Sequence, residues 1–318
     1  PDKPANNRFY TGYTGHASSN YCATTKKFYD WTKANPRGNA TPETKIALAL
    51  GNCDGYLGLN RGYSVWSQGK NAETNAALWR YGAPENTQAL MQEFFYPHPA
   101  AFLVPYGNRF IGGTPYGQVD VAQIDDDSRL ADLSRYELLV FAGWNTMTPH
   151  VKDVLERYVE AGGTLVMSRP ELTTRVDRDF KNYTDADLLP LFGELPAEGE
   201  PGDCAIYRKG KGTYYLLTAR QFPSESAAYT AAYTNLVGEL ARAVRQTVKI
   251  AGAASDPDSP QAITYGVYPD KIYFLNADTT KPRTFTCRMA GETREMTLEP
   301  CEIRAVKRPI KGFFIRIR

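Results

Sequence analysis

The chain has 318 residues, with 37 Lys and Arg against 35 Asp and Glu, a formal net charge of +2 and 42% hydrophobic residues. That length has room for a sizeable core and two domains, and so even a charge sets up no field that would draw nucleic acid or an anionic lipid surface. No run of about 18 apolar residues marks a membrane span.

Residues 1–44 are polar and rich in Asn, Gly, Thr and Tyr. They carry one predicted helix over 24–34 (TTKKFYDWTKA), stopped by Asn35-Pro36. Phe28 and Trp31 give it an apolar side too small to fold alone. Residues 45–50 (KIALAL) form the first clear strand, ended by Gly51. Residues 51–84 show no periodicity. A connection this long is more often functional or disordered, and Tyr56, Tyr63, Trp66, Trp79 and Tyr81 argue against disorder. A helix follows over 85–95, with Leu90, Met91, Phe94 and Phe95 on its buried side. A second strand spans 118–124, and Asp127-Ser128 cap a short helix around 130–133.

The strongest signal lies in 136–170. An apolar run, 138–142, is short enough for a buried strand. Thr148 is placed as N-cap and Pro149 as the first helical residue. Val151, Val154, Leu155, Tyr158 and Val159 then recur on one helical face. Gly162 suits a left-handed C-terminal cap, and 164–167 make another strand. Strand, capped helix and strand at this spacing form a βαβ unit, so the two strands are parallel.

Residues 171–201 show little pattern, and 205–218 read as a hairpin turning at 209–212. A long helix covers 224–246, lined by Tyr229, Ala232, Tyr233, Leu236, Val237, Leu240 and Val244. Beyond 247 the character changes. Short alternating strands at 262–268, 271–276, 284–288, 295–298 and 302–306 predict a small antiparallel sandwich with its boundary near 248. The tail KRPIKGFFIRIR reads as a final strand or an exposed end.

Cys22, Cys53, Cys204, Cys287 and Cys301 have neither metal spacing nor disulfide density. They leave room for one bridge, Cys287 to Cys301 across a hairpin, in an oxidising compartment. His16, His98 and His150 are scattered and offer no metal spacing. No metal or cofactor is implied. Periplasmic or secreted localisation is favoured over cytoplasmic, although no signal peptide opens the chain, which begins PDKPANN. There are 21 tyrosines and 4 tryptophans. Aromatic faces flanked by Asn, Gln and Asp suit a pyranose, whose CH-rich face stacks on a ring, although Tyr is at home at any wet interface.

Three runs taken together carry a resemblance: LLVFAGWNTMTPHVKDVLERYVEAGGTLVMS, then YRKGKGTYYLLT, then the long helix. They resemble the class I glutamine-amidotransferase-like, flavodoxin-like domain, and more closely the β-galactosidase trimerisation domain of family 42 glycoside hydrolases. In such enzymes a small β domain follows, and IYFLNADTTKPRTFT…MTLEPCEIRAVK is similar to it. The leading NNRFYTGYTGHASSNYCATTKKFYDWTKANP resembles the tail of a preceding (β/α)8 barrel. The resemblance implies an α/β fold, with a flavodoxin-like parallel sheet flanked by helices and then a small antiparallel β-sandwich. It divides the chain into 1–44 (barrel tail or linker), 45–247 (amidotransferase-like domain) and 248–318 (sandwich). A (β/α)8 barrel needs about 250 residues, so the catalytic carboxylates are expected on a barrel portion this chain does not hold.

An amidotransferase nucleophile sits on a sharp strand-to-helix turn, and that position falls here on Ser168 within 166–170. No cysteine is present there, Pro170 replaces the small residue the turn needs, and no histidine follows as base. Gly51-Asn52-Cys53-Asp54-Gly55 mimics a nucleophile elbow but follows the wrong strand. Asp125, Asp126, Asp127 and Glu171 lie past strand ends, where α/β folds bind ligands; a hard cation competes there with helix capping and solvation. No catalytic residue is therefore expected. The expected sugar wall is the 51–84 loop, with Trp66 or Trp79 stacking and Asn52, Asp54, Arg61 and Gln68 meeting hydroxyls. The expected partners are carbohydrate, the barrel portion and further copies of the chain. Two rivals are a stand-alone carbohydrate-binding module using Trp66 and Trp79, and a diverged amidotransferase-like enzyme using Asp54, Asp125 and Ser168.

Overall fold

A computed structural model describes residues 19–50, 90, 118–141, 148–172, 196–251, 263–276, 278, 281–289 and 291–308. Two units are distinguished, residues 1–42 and 43–318. In the first, helix α1 (Ser19–Ala34) starts ahead of its predicted first residue and ends where predicted. The Asn35 side chain donates to the Trp31 carbonyl at 2.9 Å and closes the last turn. The rings of Phe28 and Trp31 stack at 6.4 Å.

In the second unit a sheet is built from β1 (Ile46–Leu50), β2 (Val119–Gln123), β3 (Leu138–Phe141), β4 (Thr164–Ser168), β5 (Cys204–Lys209) and β6 (Gly212–Leu217). Their spatial order is β2-β1-β3-β4-β6-β5, and every pair is parallel except β5 with β6. This is the flavodoxin-like order with one antiparallel strand added at an edge. The helices are α2 (Leu130–Leu133), α3 (Pro149–Glu160), α4 (Arg169–Leu172) and α5 (Ala227–Ala243).

The strand sequences look uniformly apolar because both faces are covered. Ala47, Ala49, Leu139, Phe141, Leu165 and Met167 join one core with Val151, Val154, Leu155, Tyr158 and Val159 of α3. Their alternates Ile46, Leu48, Leu138, Val140 and Val166 join another with Tyr229, Tyr233, Val237 and Ala241 of α5. Leu90 is helical and buried in this second core; the rest of the helix expected over 85–95 lies outside the described residues. Two predicted caps are in place: Thr148 Oγ1 accepts from the Val151 amide at 3.1 Å, and Gly162 adopts φ 122°. The expected Asp127-Ser128 cap of α2 is not: its N-cap is Arg129, whose amide donates to the Asp132 carboxylate at 3.2 Å one turn on. Helix α5 is shorter than expected. Pro223–Glu225 form a 3-10 turn before it, and Val244 is already extended.

The remaining strands are β7 (Val248–Ala251), β8 (Ile263–Val267), β9 (Lys271–Asn276), β10 (Arg283–Met289), β11 (Glu292–Leu298) and β12 (Ile303–Lys307). They form two antiparallel sheets, β11-β10-β7 and β12-β9-β8, around Val248, Ile272, Phe274, Phe285, Met289 and Leu298. Strand β11 begins earlier than its predicted 295, because Glu292 to Glu295 are all exposed and show no alternation. The Cys287–Cys301 bridge for which the sequence leaves room does not form, and both thiols are free. The hairpin turns between Met289 and Glu292, which sets buried Cys287 opposite Arg294 and leaves exposed Cys301 beyond the strand.

The sandwich joins the α/β layer through short contacts. The Glu43 amide donates to the Val267 carbonyl at 2.8 Å. The Val267 amide donates to Gln118 Oε1 at 3.0 Å, and Arg308 pairs with Glu43 at 2.6 Å.

Candidate functional site at the carboxyl edge of the parallel sheet

In an open α/β sheet ligands are bound beyond the carboxyl ends of the strands. Here β1 ends at Leu50 and β4 at Ser168 on that same edge, because the strands are parallel. Alternation decides where Ser168 faces. Leu165 and Met167 go to the α3 side and Val166 to the α5 side, so Ser168 continues toward α5. The chain then turns directly into α4 with Pro170 in its first turn.

Glu171 reaches back one turn, and its carboxylate accepts the Ser168 amide at 2.6 Å. This is half of a capping box, since Ser168 Oγ has no hydrogen-bond partner of its own. Both residues are 0% exposed. Tyr229 on α5 is equally buried. Burial chiefly, and then the nearby Glu171, Cys204 and Glu225, push its phenol above its ordinary value. Arg169 is directed elsewhere and donates to the Pro196 carbonyl at 2.7 Å.

The chemistry open to this corner is limited. A serine nucleophile needs access, a base and donors aimed at the developing oxyanion. Ser168 is sealed, and its own amide is committed to a carboxylate that would repel an oxyanion beside it. His150 lies at the start of α3, where Nε2 meets the Ser128 carbonyl at 2.7 Å. The acid cluster serves local structure. Asp125 Oδ1 accepts from the Asp127 amide at 3.0 Å and from Ser128 Oγ at 3.2 Å, and Asp126 receives the Thr148 hydroxyl. Among the described residues no group of His, Cys, Asp and Glu is gathered to hold a metal ion.

The expected sugar-wall residues Asn52, Asp54, Arg61, Trp66, Gln68 and Trp79 lie outside the described residues. The structure therefore brings together Ser168 and Glu171 and separates them from the Asp125 turn. Sequence reasoning placed Glu171 at the strand end without assigning its partner. The signal was available in Ser168-Arg-Pro-Glu171, the Ser-x-x-Glu spacing of a helix N-terminus.

No protein-family model matches this chain, and no curated protein matches it. Solved structures similar to it include a catalytic mutant of a GH42 β-galactosidase from G. stearothermophilus, at 17% identity and a TM-score of 0.45. Others are the β-galactosidase of Bacillus circulans sp. alkalophilus (15%, TM-score 0.49) and that of the Antarctic haloarchaeon Halorubrum lacusprofundi (15%, TM-score 0.46). The alignments cover 93%, 93% and 92% of this chain, but only 45%, 46% and 43% of theirs. The chain thus spans less than half the length of each.

Proposed function

We propose that this chain is the non-barrel, C-terminal portion of a glycoside hydrolase. Its role is oligomerisation and the completion of a carbohydrate site whose catalytic carboxylates belong to a (β/α)8 barrel outside it. The reading is supported by the resemblance of its sequence runs to the family 42 amidotransferase-like domain, and by an α/β layer followed by a small sandwich in the same order. One observation favours it over a diverged amidotransferase: the nucleophile position is a fully buried serine whose amide is held by Glu171. A domain arranged this way serves as a scaffold, and its carboxyl edge presents the loop after Leu50 to a neighbouring site.

The test is an assay of the chain alone against a panel of aryl glycosides and against glutamine, with Ser168→Ala alongside. No turnover is expected from either protein. Glycoside turnover abolished by mutating an acid within 45–247 would overturn the reading. A loss of about 10³-fold in any glutaminase rate on Ser168→Ala, the scale seen when a nucleophile is removed, would instead establish the amidotransferase rival.

A further inference from the structure

Strand β2 forms one edge of the six-stranded sheet, and among the described residues its only strand neighbour is β1. The Ile124 amide, just past its end, donates to the Leu50 carbonyl of β1 at 2.7 Å. Alternation along the strand therefore turns the amides and carbonyls of Val119 and Val121 away from β1. Val119 packs into the core under α5 and Ala122 into the core under α3, so Val121 shares the α5 face with Val119. Val121 is 47% exposed there, and no proline or glycine interrupts the strand to blunt its edge. Directly beyond β2 come Asp125, Asp126 and Asp127. Asp125 and Asp126 accept from amide and hydroxyl donors, and no basic side chain among the described residues pairs with any of the three. Asp126 faces the α3 side, because it holds Thr148 at the start of that helix.

The amino end of β2 lies where the chain leaves the sandwich. Gln118, the residue before β2, accepts the Val267 amide at 3.0 Å, and the Glu43 amide donates to the Val267 carbonyl at 2.8 Å. Arg308 pairs with that same Glu43 at 2.6 Å and donates to the Tyr268 carbonyl at 3.2 Å. Residues 309–318, PIKGFFIRIR, follow Arg308 and lie outside the described residues. In an extended strand Phe313, Ile315 and Ile317 fall on one face, and Phe314, Arg316 and Arg318 on the other. We infer that 313–318 of the same chain pair with β2 as a further strand of the sheet, parallel to it because both set out from the sandwich end. The steps from Arg308 to Phe313 span up to about 17 Å when extended, which brings the segment from the sandwich onto this edge. With Phe313 beside Val119 and Ile315 beside Val121, the apolar face covers the exposed valine on the α5 side. Arg316 and Arg318 then lie on the α3 side at the far end, where the Asp125–Asp127 turn meets them. A slip of one residue would set the arginines beside Val121 and carry the isoleucines away from it, so the chemistry of both faces selects one register.

The experiment compares two double variants of the full chain, Val121→Cys with Ile315→Cys and Val121→Cys with Phe314→Cys, under mild oxidation. Adjacent strands stand about 4.8 Å apart, within disulfide reach. Peptide mapping should find 121 linked to 315 within one chain, and about tenfold less linkage of 121 to 314, whose side chain belongs to the opposite face. In a second arm, removing 309–318 should speed hydrogen exchange at the Val121 amide by about tenfold or more and leave the Leu139 amide, in the middle of the sheet, unchanged. The cysteine arm stands even if the shortened chain fails to fold. Equal linkage of the two pairs overturns the register. A 121–315 link that joins two chains gives the edge to the tail of a second copy and overturns pairing within the chain. No link in either variant, with Val121 exchange unmoved by the deletion, overturns this segment as the occupant of the edge.

Discussion

A buried acid that is neutral in the fold makes stability depend on pH in a definable window, and several side chains here contribute to one, four of them by pH 12. Burial raises the thiols of Cys204 and Cys287 from 9.0 to about 11, with Arg294 pulling back slightly on the latter. Burial is also the main cause for Tyr136 and Tyr265, which rise from 10.0 to about 12. At Tyr136 the Asp120 charge adds to the rise, and the Arg135 hydrogen bond opposes it. The sign follows from linkage. Below the unfolded values all four groups are protonated in both states, and their contribution is fully present. As pH climbs past them the unfolded chain sheds protons that the fold retains, so stability falls until the folded values are passed. Urea midpoints measured in steps from neutral pH should hold to about pH 9 and then decline toward pH 12. A midpoint that stays level across that range would mean these side chains are not buried as described. Buried Asp278 and part-buried Arg283, the first residue of β10, form an ion pair at 2.6 Å.

At the scale of elements, the βαβ unit from β3 to β4 depends on two small features. Thr148 caps α3 and is itself held by Asp126. Gly163 is where the chain leaves α3 and passes under the Tyr158 ring, and a Cβ there would fall inside that ring. Tyr158 is held in place by its hydroxyl, 3.2 Å from the Tyr136 carbonyl and 3.3 Å from that of Thr164. The ring therefore has little room to yield. Losing the cap in Thr148→Ala should cost about 1 kcal/mol. Forcing a methyl group into a packed core in Gly163→Ala should cost the upper part of the ~1–3 kcal/mol overpacking range. Calorimetry of the two variants tests the order: the glycine substitution should lower the melting temperature further, by about 2–4 °C per kcal/mol for a chain of this class. A harmless Gly163→Ala would contradict the packing of Tyr158.

For the whole molecule, the parallel order of β1 and β4 puts the start of the loop after Leu50 on the edge that carries ligands in this fold. If, as proposed, the chain is part of a longer glycoside hydrolase and that loop walls its sugar site, Trp66→Ala and Trp79→Ala in that longer protein should worsen KM or kcat for glycoside hydrolysis while the melting temperature holds. A fall in melting temperature with unchanged kinetics would show that the two tryptophans only pin the loop. The sealed Ser168 corner and the open β5 edge lie on different parts of one sheet, one buried under α5 and the other presenting Ile206 to solvent.

What the sequence determined by itself was local. The Thr148-Pro149 start, the apolar face of α3, the Gly162 cap, the 209–212 hairpin and most strand positions follow from short-range sterics, capping and periodicity, which are written in contiguous residues. Sheet order was not legible in contiguous residues, and only the resemblance implied a flavodoxin-like sheet, because β6 lies beside β4, and β5 at the edge, through pairings between distant segments. The fate of Cys287 turned on hairpin register, and the exposed start of β11 had no apolar alternation to betray it. Ser168 and Glu171 show the same division. Their spacing announces a helix start, but only the packing of α5 over the end of β4 makes that start a sealed corner, because burial is a property of what the rest of the chain lays on top.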